Sequence, residues 1–228
     1  VSAATLSEPL TRSVEDYLKA IYRLSPGGQT AATSAIAQAL ELSPASVSGM
    51  IKRLSEQGLL EHAPYRGVQL TAEGLRQALR MVRRHRLLES YLVAFLGYSW
   101  DTVHDEAERL EHAVSDGLIE RMAGALGNPA FDPHGDPIPD ADGSVAEPDC
   151  TPLSEIEAGE TVEIRRVQAG DGELLRYLGA LDLRPGVQVQ VVEREPFRGP
   201  ITVMAEGRQR VIGHEVAGQL LCQPVEDA

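Results

Sequence analysis

The tetrapeptide Glu41-Leu42-Ser43-Pro44 constrains this chain more than any other feature. It leaves room only for a tight turn, and it places Ser43 and Pro44 at the N-cap and first position of a helix running through Gln57. That helix carries Val47, Met50, Ile51 and Leu54 on one face. Upstream, Leu10, Val14, Tyr17, Leu18, Ile21 and Leu24 recur at helical spacing before Ser-Pro-Gly-Gly ends the run, and a short helix spans about Thr33 to Leu40. Downstream, Gly58 stops the third helix. Leu59 to Ala63 and Gly67 to Thr71 then read as two short strands around a Pro64-Tyr65-Arg66 turn. Helix, helix, tight turn, helix and two-stranded wing is the order of a winged helix-turn-helix.

Thr71 is placed to cap a long fourth helix reaching about Leu96, whose face Leu88, Tyr91, Leu92, Phe95 and Leu96 is broad enough to meet a partner subunit. A fifth helix is expected from Thr102, with Asp105 as a capping-box acid, continuing to about Leu126. Four X-Pro pairs between Asn128 and Pro139 predict irregular chain. From about Leu153 the pattern changes to short strands, Thr161 to Val167, Val187 to Glu193, Ile201 to Ala205 and Arg208 to Ile212, with one helix from Gly172 to Leu181. The reading is therefore mainly α with β, in four parts: a winged helix-turn-helix over 1–73, a helical domain over 74–145, a linker over 146–152 and a small β-barrel over 153–228.

Charge is distributed unevenly. The net charge is −13, yet residues 1–86 sum to +4, residues 87–160 to −15 and residues 161–228 to −2. A basic front and an acidic middle suit a nucleic acid at one end and cations in the centre. The apolar runs are far shorter than the roughly 20 residues of a membrane span, and Val1 to Pro9 has no leader-like pattern, so the cytoplasm is expected. Cys150 and Cys222 lie far apart without a Cys-x-x-Cys pairing, which points to neither a disulfide framework nor a thiolate knuckle. Both are expected to be small buried hydrophobes.

On the fifth helix His104, Glu108, Glu111 and His112 fall within an arc of about 100°. On the fourth, His85 and Glu89 share a face. Antiparallel packing of the two helices brings the sets together, and imidazole with carboxylate suits Mn, Fe, Co, Ni or Zn, with the absence of thiolate favouring the harder ions. The competing reading is a set of solvated charges, or pairs with Arg83, Arg84, Arg86 and Arg109. In the third helix, Ser43, Ala45, Ser46, Ser48 and Gly49 are small at the end where a recognition helix meets base edges, with Lys52, Arg53 and Arg66 as phosphate contacts.

These residues resemble the diphtheria-toxin-repressor family of metal-dependent regulators over nearly the whole chain. The resemblance is carried by Glu15-Asp16-Tyr17-Leu18 with Ile21-Tyr22, by Ser46-Val47-Ser48, and by Arg84-His85-Arg86-Leu87 to Glu89. Val103-His104-Asp105-Glu106-Ala107 with Glu111-His112, and Pro133-His134-Gly135 with Pro137-Ile138-Pro139, extend it. It implies a winged helix, a helical dimerisation domain, a C-terminal SH3-like domain, and a homodimeric repressor of metal-uptake genes that binds palindromic operator DNA. It also implies two metal sites. Asp16, Glu108, Glu111 and His112 fall on the primary one; His85, Glu89 and His104 fall on the ancillary one, completed by acceptors from the SH3-like domain, for which Asp171 and Glu173 are candidates. Iron-sensing members carry Met and Cys where this chain has Asp16 and Glu108, so the resemblance leans to Mn2+, with Fe2+ next and Co2+, Ni2+, Zn2+ and Cd2+ as substitutes in vitro. Lys19 stands where two-domain manganese members have a further Glu. The C-terminal module is expected to be accessory. Two other classes compete: a winged-helix regulator or SH3-like adaptor indifferent to metal, and a dinuclear metalloenzyme. The chain has no His-Glu-x-x-His, paired Glu-x-x-His or nucleophile motif to support an enzyme.

Overall fold

The computed structural model describes residues 10–63, 67–168 and 172–225. Their contacts divide into two compact units. One comprises residues through Arg84 with Pro139–Ser144, the other His85–Ile138 with the chain from Val145 on.

In the first unit, helices α1 (Arg12–Leu24), α2 (Thr33–Ala39) and α3 (Pro44–Glu56) precede strands β1 (Leu60–Ala63) and β2 (Gly67–Leu70). The hydrophobic stripes read from the sequence meet in one core, where Leu18, Ile21, Ile36, Val47, Ile51, Leu54 and Val68 are sealed from solvent. Ser43 caps α3 as its position requires, its Oγ accepting from the Ser46 N–H at 3.2 Å. Strands β1 and β2 pair antiparallel, Leu60 opposite Leu70, and a bridge from Ala31 to Val68 adds a short third edge to the wing. Helix α4 (Ala72–Leu96) starts where expected, with Thr71 Oγ1 accepting from the Gly74 N–H at 3.0 Å.

The second unit contains the rest of α4, then α5 (Val103–Leu110) and α6 (Asp116–Ala125) around Leu87, Leu88, Ala107, Ile119 and Ala123. Two expectations fail here. The single fifth helix is broken between Leu110 and Asp116, because Ser115 takes an extended conformation and uses its Oγ to accept from the Leu118 N–H, starting a new helix. The capping box also does not form. Thr102 makes no side-chain cap, its hydroxyl being engaged instead with Ser99, 2.8 Å from the Ser99 Oγ.

Beyond the Pro-rich segment, β3 (Thr151–Pro152), β4 (Thr161–Val167), β5 (Gln188–Arg194), β6 (Ile201–Ala205), β7 (Arg208–Ile212) and β8 (Leu220–Pro224) form one antiparallel sheet in the order β3-β8-β4-β5-β6-β7. Helices α7 (Gly172–Ala180) and α8 (His214–Ala217) complete the SH3-like module. Alternate residues point inward, as Val189 and Val191 do in β5 and Ile201, Val203 and Ala205 in β6. The linker expected over 146–152 is shorter than read, since β3 at its end pairs with β8. Cys222 is buried within this sheet, whereas Cys150 is only half-buried. The core contains one residue from far upstream, Trp100 from the α4–α5 connection. The Pro133-His134-Gly135 loop also lies against the sheet: Val167 N–H donates to the His134 carbonyl at 2.8 Å. Gly135, at φ +85°, lies so close that a Cβ there would come within 1.9 Å of the Arg165 carbonyl oxygen, at a bulge in β4.

Leu54 anchors α3 in the first core with no exposed surface. Leu54→Ala should therefore cost about 2–5 kcal/mol. Urea unfolding should show a lower midpoint with an unchanged slope.

Candidate metal centre and nucleic-acid interface

Helix α3 buries Val47, Ile51 and Leu54, which turns the opposite face to solvent. Ser43, Ala45, Ser46, Ser48, Gly49, Lys52 and Arg53 are all exposed there. Small side chains at the N-terminal end allow close approach of a partner surface, and Lys52 and Arg53 supply positive charge one turn later. Lys52 is only loosely held, 4.0 Å from Glu56. Arg66 lies outside the described residues.

In the second unit, one turn of α4 sets His85 and Glu89 on a face covered by α5 and the chain that follows it. His85 and Glu89 are buried, at 3% and 2% exposure. His85 Nδ1 lies 2.6 Å from Glu111 Oε2, so this nitrogen carries a proton and donates it to the carboxylate. The other nitrogen, Nε2, then faces Glu89 Oε1 at 2.9 Å and His104 Nδ1 at 3.0 Å. His104 Nδ1 and Glu89 Oε1 are themselves 2.9 Å apart. Glu108 Oε1 stands 3.7 Å from His104 Nε2 and 3.9 Å from His85 Nδ1.

Three donors thus form a nearly equilateral triangle. Bonds of about 2.1 Å to a common ion separate neighbouring donors by about 3.0 Å in an octahedron and about 3.4 Å in a tetrahedron. The triangle fits a face of the former. Its composition, two imidazole nitrogens and a carboxylate oxygen, fits a divalent ion of intermediate to hard character. Glu111, wholly buried, orients His85 from behind as a carboxylate does for a metal-ligating histidine. Its second oxygen lies 3.4 Å from His112 Nε2.

The resemblance assigns Glu111 and His112 to one site and His85 to another; here Glu111 lies between His85 and His112, and Glu108 stands near the two histidines His85 and His104. Asp16 is half-buried on α1, 4.0 Å from the Arg12 Nε. Lys19 on the same helix is buried. Glu173 is exposed in the first turn of α7, and Asp171 lies outside the described residues.

A second group was not singled out as a site: Asp132 and His134, both buried, meet the far side of Glu89. His134 Nε2–H donates to the Trp100 carbonyl at 2.6 Å, and its Nδ1 faces Glu89 Oε2 at 3.7 Å. Asp132 Oδ1 accepts from the N–H groups of His134 and Asp136 at 2.8 and 2.9 Å. The sequence signals were a run of Asp-Pro and His-Gly pairs, which reads first as turns, and the place of Pro133-His134-Gly135 in the family resemblance. Burial pushes the Glu89 carboxyl up, but the charge on His85 and hydrogen bonds from His104, His134 and His85 outweigh it and hold the carboxyl well below the usual range. Burial, aided by the charges of Asp136 and Glu89, raises Asp132 to about 7. Burial also works against a charged His134, yet the Glu89 contact and the Asp132 charge prevail and raise it to about 9.

Comparison with known proteins matches each part of the chain. Residues 9–68 match the N-terminal DNA-binding domain of iron-dependent repressors, residues 71–140 their metal-binding and dimerisation domain, and residues 151–224 the FeoA domain. The chain is 34% identical over 222 residues to the iron-dependent repressor IdeR of Mycobacterium leprae (strain TN), spanning 91% of this chain and 95% of that protein. It is 32% identical over 210 residues to the diphtheria toxin repressor of Corynebacterium diphtheriae (strain ATCC 700971 / NCTC 13129 / Biotype gravis), spanning 87% and 91%. Among solved structures, a manganese-dependent transcriptional repressor in complex with manganese is 41% identical, with a TM-score of 0.86 over 93% of this chain and all of that one. ScaR with bound Zn2+ is 32% identical, with a TM-score of 0.79, covering 93% and 99%.

The raised His134 value has a definite sign. Its contribution to stability is complete below the unfolded pKa near 6.5 and is lost as pH rises through about 9. Asp132 acts in the same sense at lower pH, its contribution fading as pH rises from about 3.9 to about 7. In chelator, the melting temperature should therefore fall by a few degrees between pH 7 and 9. His134→Gln should flatten that decline; a melting temperature that rose over this interval would contradict the assignment.

Proposed function

Taking as premise that the chain belongs to the diphtheria-toxin-repressor family of metal-dependent, DNA-binding transcriptional regulators, we propose that manganese is the ion that activates it for operator binding. The observation that carries this reading is the triangle of His85 Nε2, His104 Nδ1 and Glu89 Oε1, built from nitrogen and oxygen without sulfur. Mn2+ binds weakly in the general order of divalent affinities, so preference for it rests on hard donors and octahedral spacing. Fe2+ is the nearest competitor.

A second, primary centre is proposed from Asp16, Glu108, Glu111 and His112, as the resemblance implies. A divalent ion would supply there the positive charge that three carboxylates lack. Asp16 belongs to the DNA-reading unit and Glu111 to the other, so shared coordination would fix Asp16 relative to Glu111 and select one orientation of α3. In a homodimer the two recognition helices would then lie about 34 Å apart, matching successive major grooves of a palindromic operator. Repulsion among the carboxylates loosens that arrangement when metal is withdrawn. Lys19 would limit the charge this centre can accept. Asp171 and Glu173 remain the proposed acceptors from the SH3-like domain, and the boundaries near residues 73, 145 and 152 the proposed domain limits. The centre is read as regulatory, not catalytic, with metal-uptake genes as targets. Among the described residues no helix is long and apolar enough to cross a membrane; the cytoplasm is the proposed location, which a DNA partner supports.

Mobility shifts with chelator and with Mn2+ test the mechanism: binding should appear only with metal and weaken as pH falls through about 6, because ligating histidines must lose their protons. Asp16→Ala should abolish activation while leaving the dimer intact. Equal binding with and without metal would end the proposal.

Metal choice is tested at Glu108. Glu108→Cys introduces a thiolate and should reduce activation by Mn2+ at least about tenfold more than activation by Fe2+ or Co2+, with dimerisation unchanged. Operator binding over matched free-metal series gives the ranking, and an unchanged ranking would remove Glu108 from the selectivity set.

A further inference from the structure

We propose that the SH3-like module holds a binding site of its own, for a small ligand carrying one carboxylate and two cationic groups, as a dibasic amino acid does. The inference stands apart from the metal centres and uses none of their residues.

The site is a cavity of about 480 Å³, within the size range of small-molecule sites. Three pieces of chain supply its polar lining: Ser154 and Glu155 after β3, His214, Glu215 and Gln219 around α8, and Arg198 from the hairpin between β5 and β6. The hydrogen-bonding capacity of these side chains is unused. Among the described residues, none of the six makes a side-chain hydrogen bond or an ion pair. Neighbouring Arg194, by contrast, pairs with Glu157 at 3.1 Å.

For the exposed carboxylates and the guanidinium, water is partner enough. For Ser154 it is not, because that residue is only 6% exposed. Its carbonyl is taken, accepting from Arg194 at 2.7 Å, while its hydroxyl has no protein partner. A buried hydroxyl left unpaired is costly, and the cavity it lines is where its partner can sit. Gly218 keeps that floor open, since a Cβ there would come within 3.6 Å of Ser154 Oγ. His214 and Gln219 are half-buried in the walls.

The hairpin fixes where Arg198 stands. Phe197 and Arg198 both take the left-handed conformation, each at φ +59°. Glu195 N–H donates to the Pro200 carbonyl at 3.0 Å and Gly199 N–H to the Pro196 carbonyl at 3.1 Å, which closes the turn around them. Two consecutive left-handed residues with large side chains are strained, and strain of this kind is found where a side chain must be presented in one place.

The lining sets the chemistry of the ligand. Two carboxylates beside one guanidinium leave an excess of one negative charge, so a simple anion is repelled and a bare cation meets Arg198. Among the described residues, the groups spaced to share a metal ion lie elsewhere. A carboxylate for Arg198 and one cation each for Glu155 and Glu215 balance the site, leaving Ser154, His214 and Gln219 for the ligand's remaining polar atoms. L-Arginine is a direct probe of that class. Agmatine lacks its carboxylate, and citrulline lacks its side-chain charge.

Isothermal titration of the full-length protein in chelator should detect one L-arginine site per chain, with agmatine and citrulline each bound about tenfold or more weakly. Arg198→Gln should abolish the preference for L-arginine over agmatine, and Glu155→Gln or Glu215→Gln should narrow the preference over citrulline. Ser154→Ala should weaken L-arginine severalfold without lowering the melting temperature, because the hydroxyl it removes has no partner to lose. Equal affinity for agmatine would overturn the assigned ligand class, and an affinity untouched by all four substitutions would overturn the location. The absence of saturable binding up to about 10 mM L-arginine would end the proposal as a whole.

Discussion

A carboxylate at 2% exposure survives as a charge only if its surroundings replace the water it has lost, and Glu89 is that carboxylate. Three imidazoles do so: His85 and His104 on one oxygen, His134 on the other. The arrangement around it follows from this demand. His85 is turned by Glu111, His134 by the Trp100 carbonyl, and Asp132 organises the loop that delivers His134 by accepting two of its backbone N–H groups. Each histidine has one nitrogen directed at Glu89 and a polar neighbour behind or beside it. A buried polar network of this kind is costly unless fully satisfied, and it holds the geometry of its members closely for the same reason.

Such a network would suit the metal switch proposed above, because its partners can be exchanged. The nitrogens of His85 and His104 and the oxygen of Glu89 lie 2.9 to 3.0 Å from one another, the spacing they would keep on a common octahedral ion. Coordination therefore demands little reorganisation of the donors. Its effect would fall instead on charge, at Glu89 and Glu111, which face His134 and His112 at 3.7 and 3.4 Å.

The DNA-reading unit works by a different economy. Its core is built from the apolar stripes of α1, α2 and α3, and α3 turns a row of small and basic residues to solvent. Ser43 stabilises the helix start by capping it, and Gly49 and Ser48 leave the approach unobstructed.

Periodicity was legible wherever one face of an element was buried. Val47, Ile51 and Leu54 specified α3, the alternation in β5 and β6 specified the sheet, and the local chemistry of Ser43 and Thr71 specified two helix starts, because caps and stripes act within a few residues. The helical spacing of His85 and Glu89, and of His104 and Glu108, likewise pointed to a metal-capable face. The break at Ser115 was not legible, since a serine inside an apolar pattern is equally compatible with a helix interior until its own conformation is known. Nor were the short strands at Thr151 and Leu220, which pair only with each other and with β4 across long stretches of chain. Above all, no local pattern places Trp100 in a core formed by residues 153–222, or joins His134 to Glu89 across 45 positions. Those contacts depend on loops whose course is set by tertiary packing. The sequence by itself determined the elements and the chemical character of the donors; the tertiary structure decided which donors share an ion-sized triangle and which residue connects them to the β-module, because burial and distance are properties of the folded chain alone.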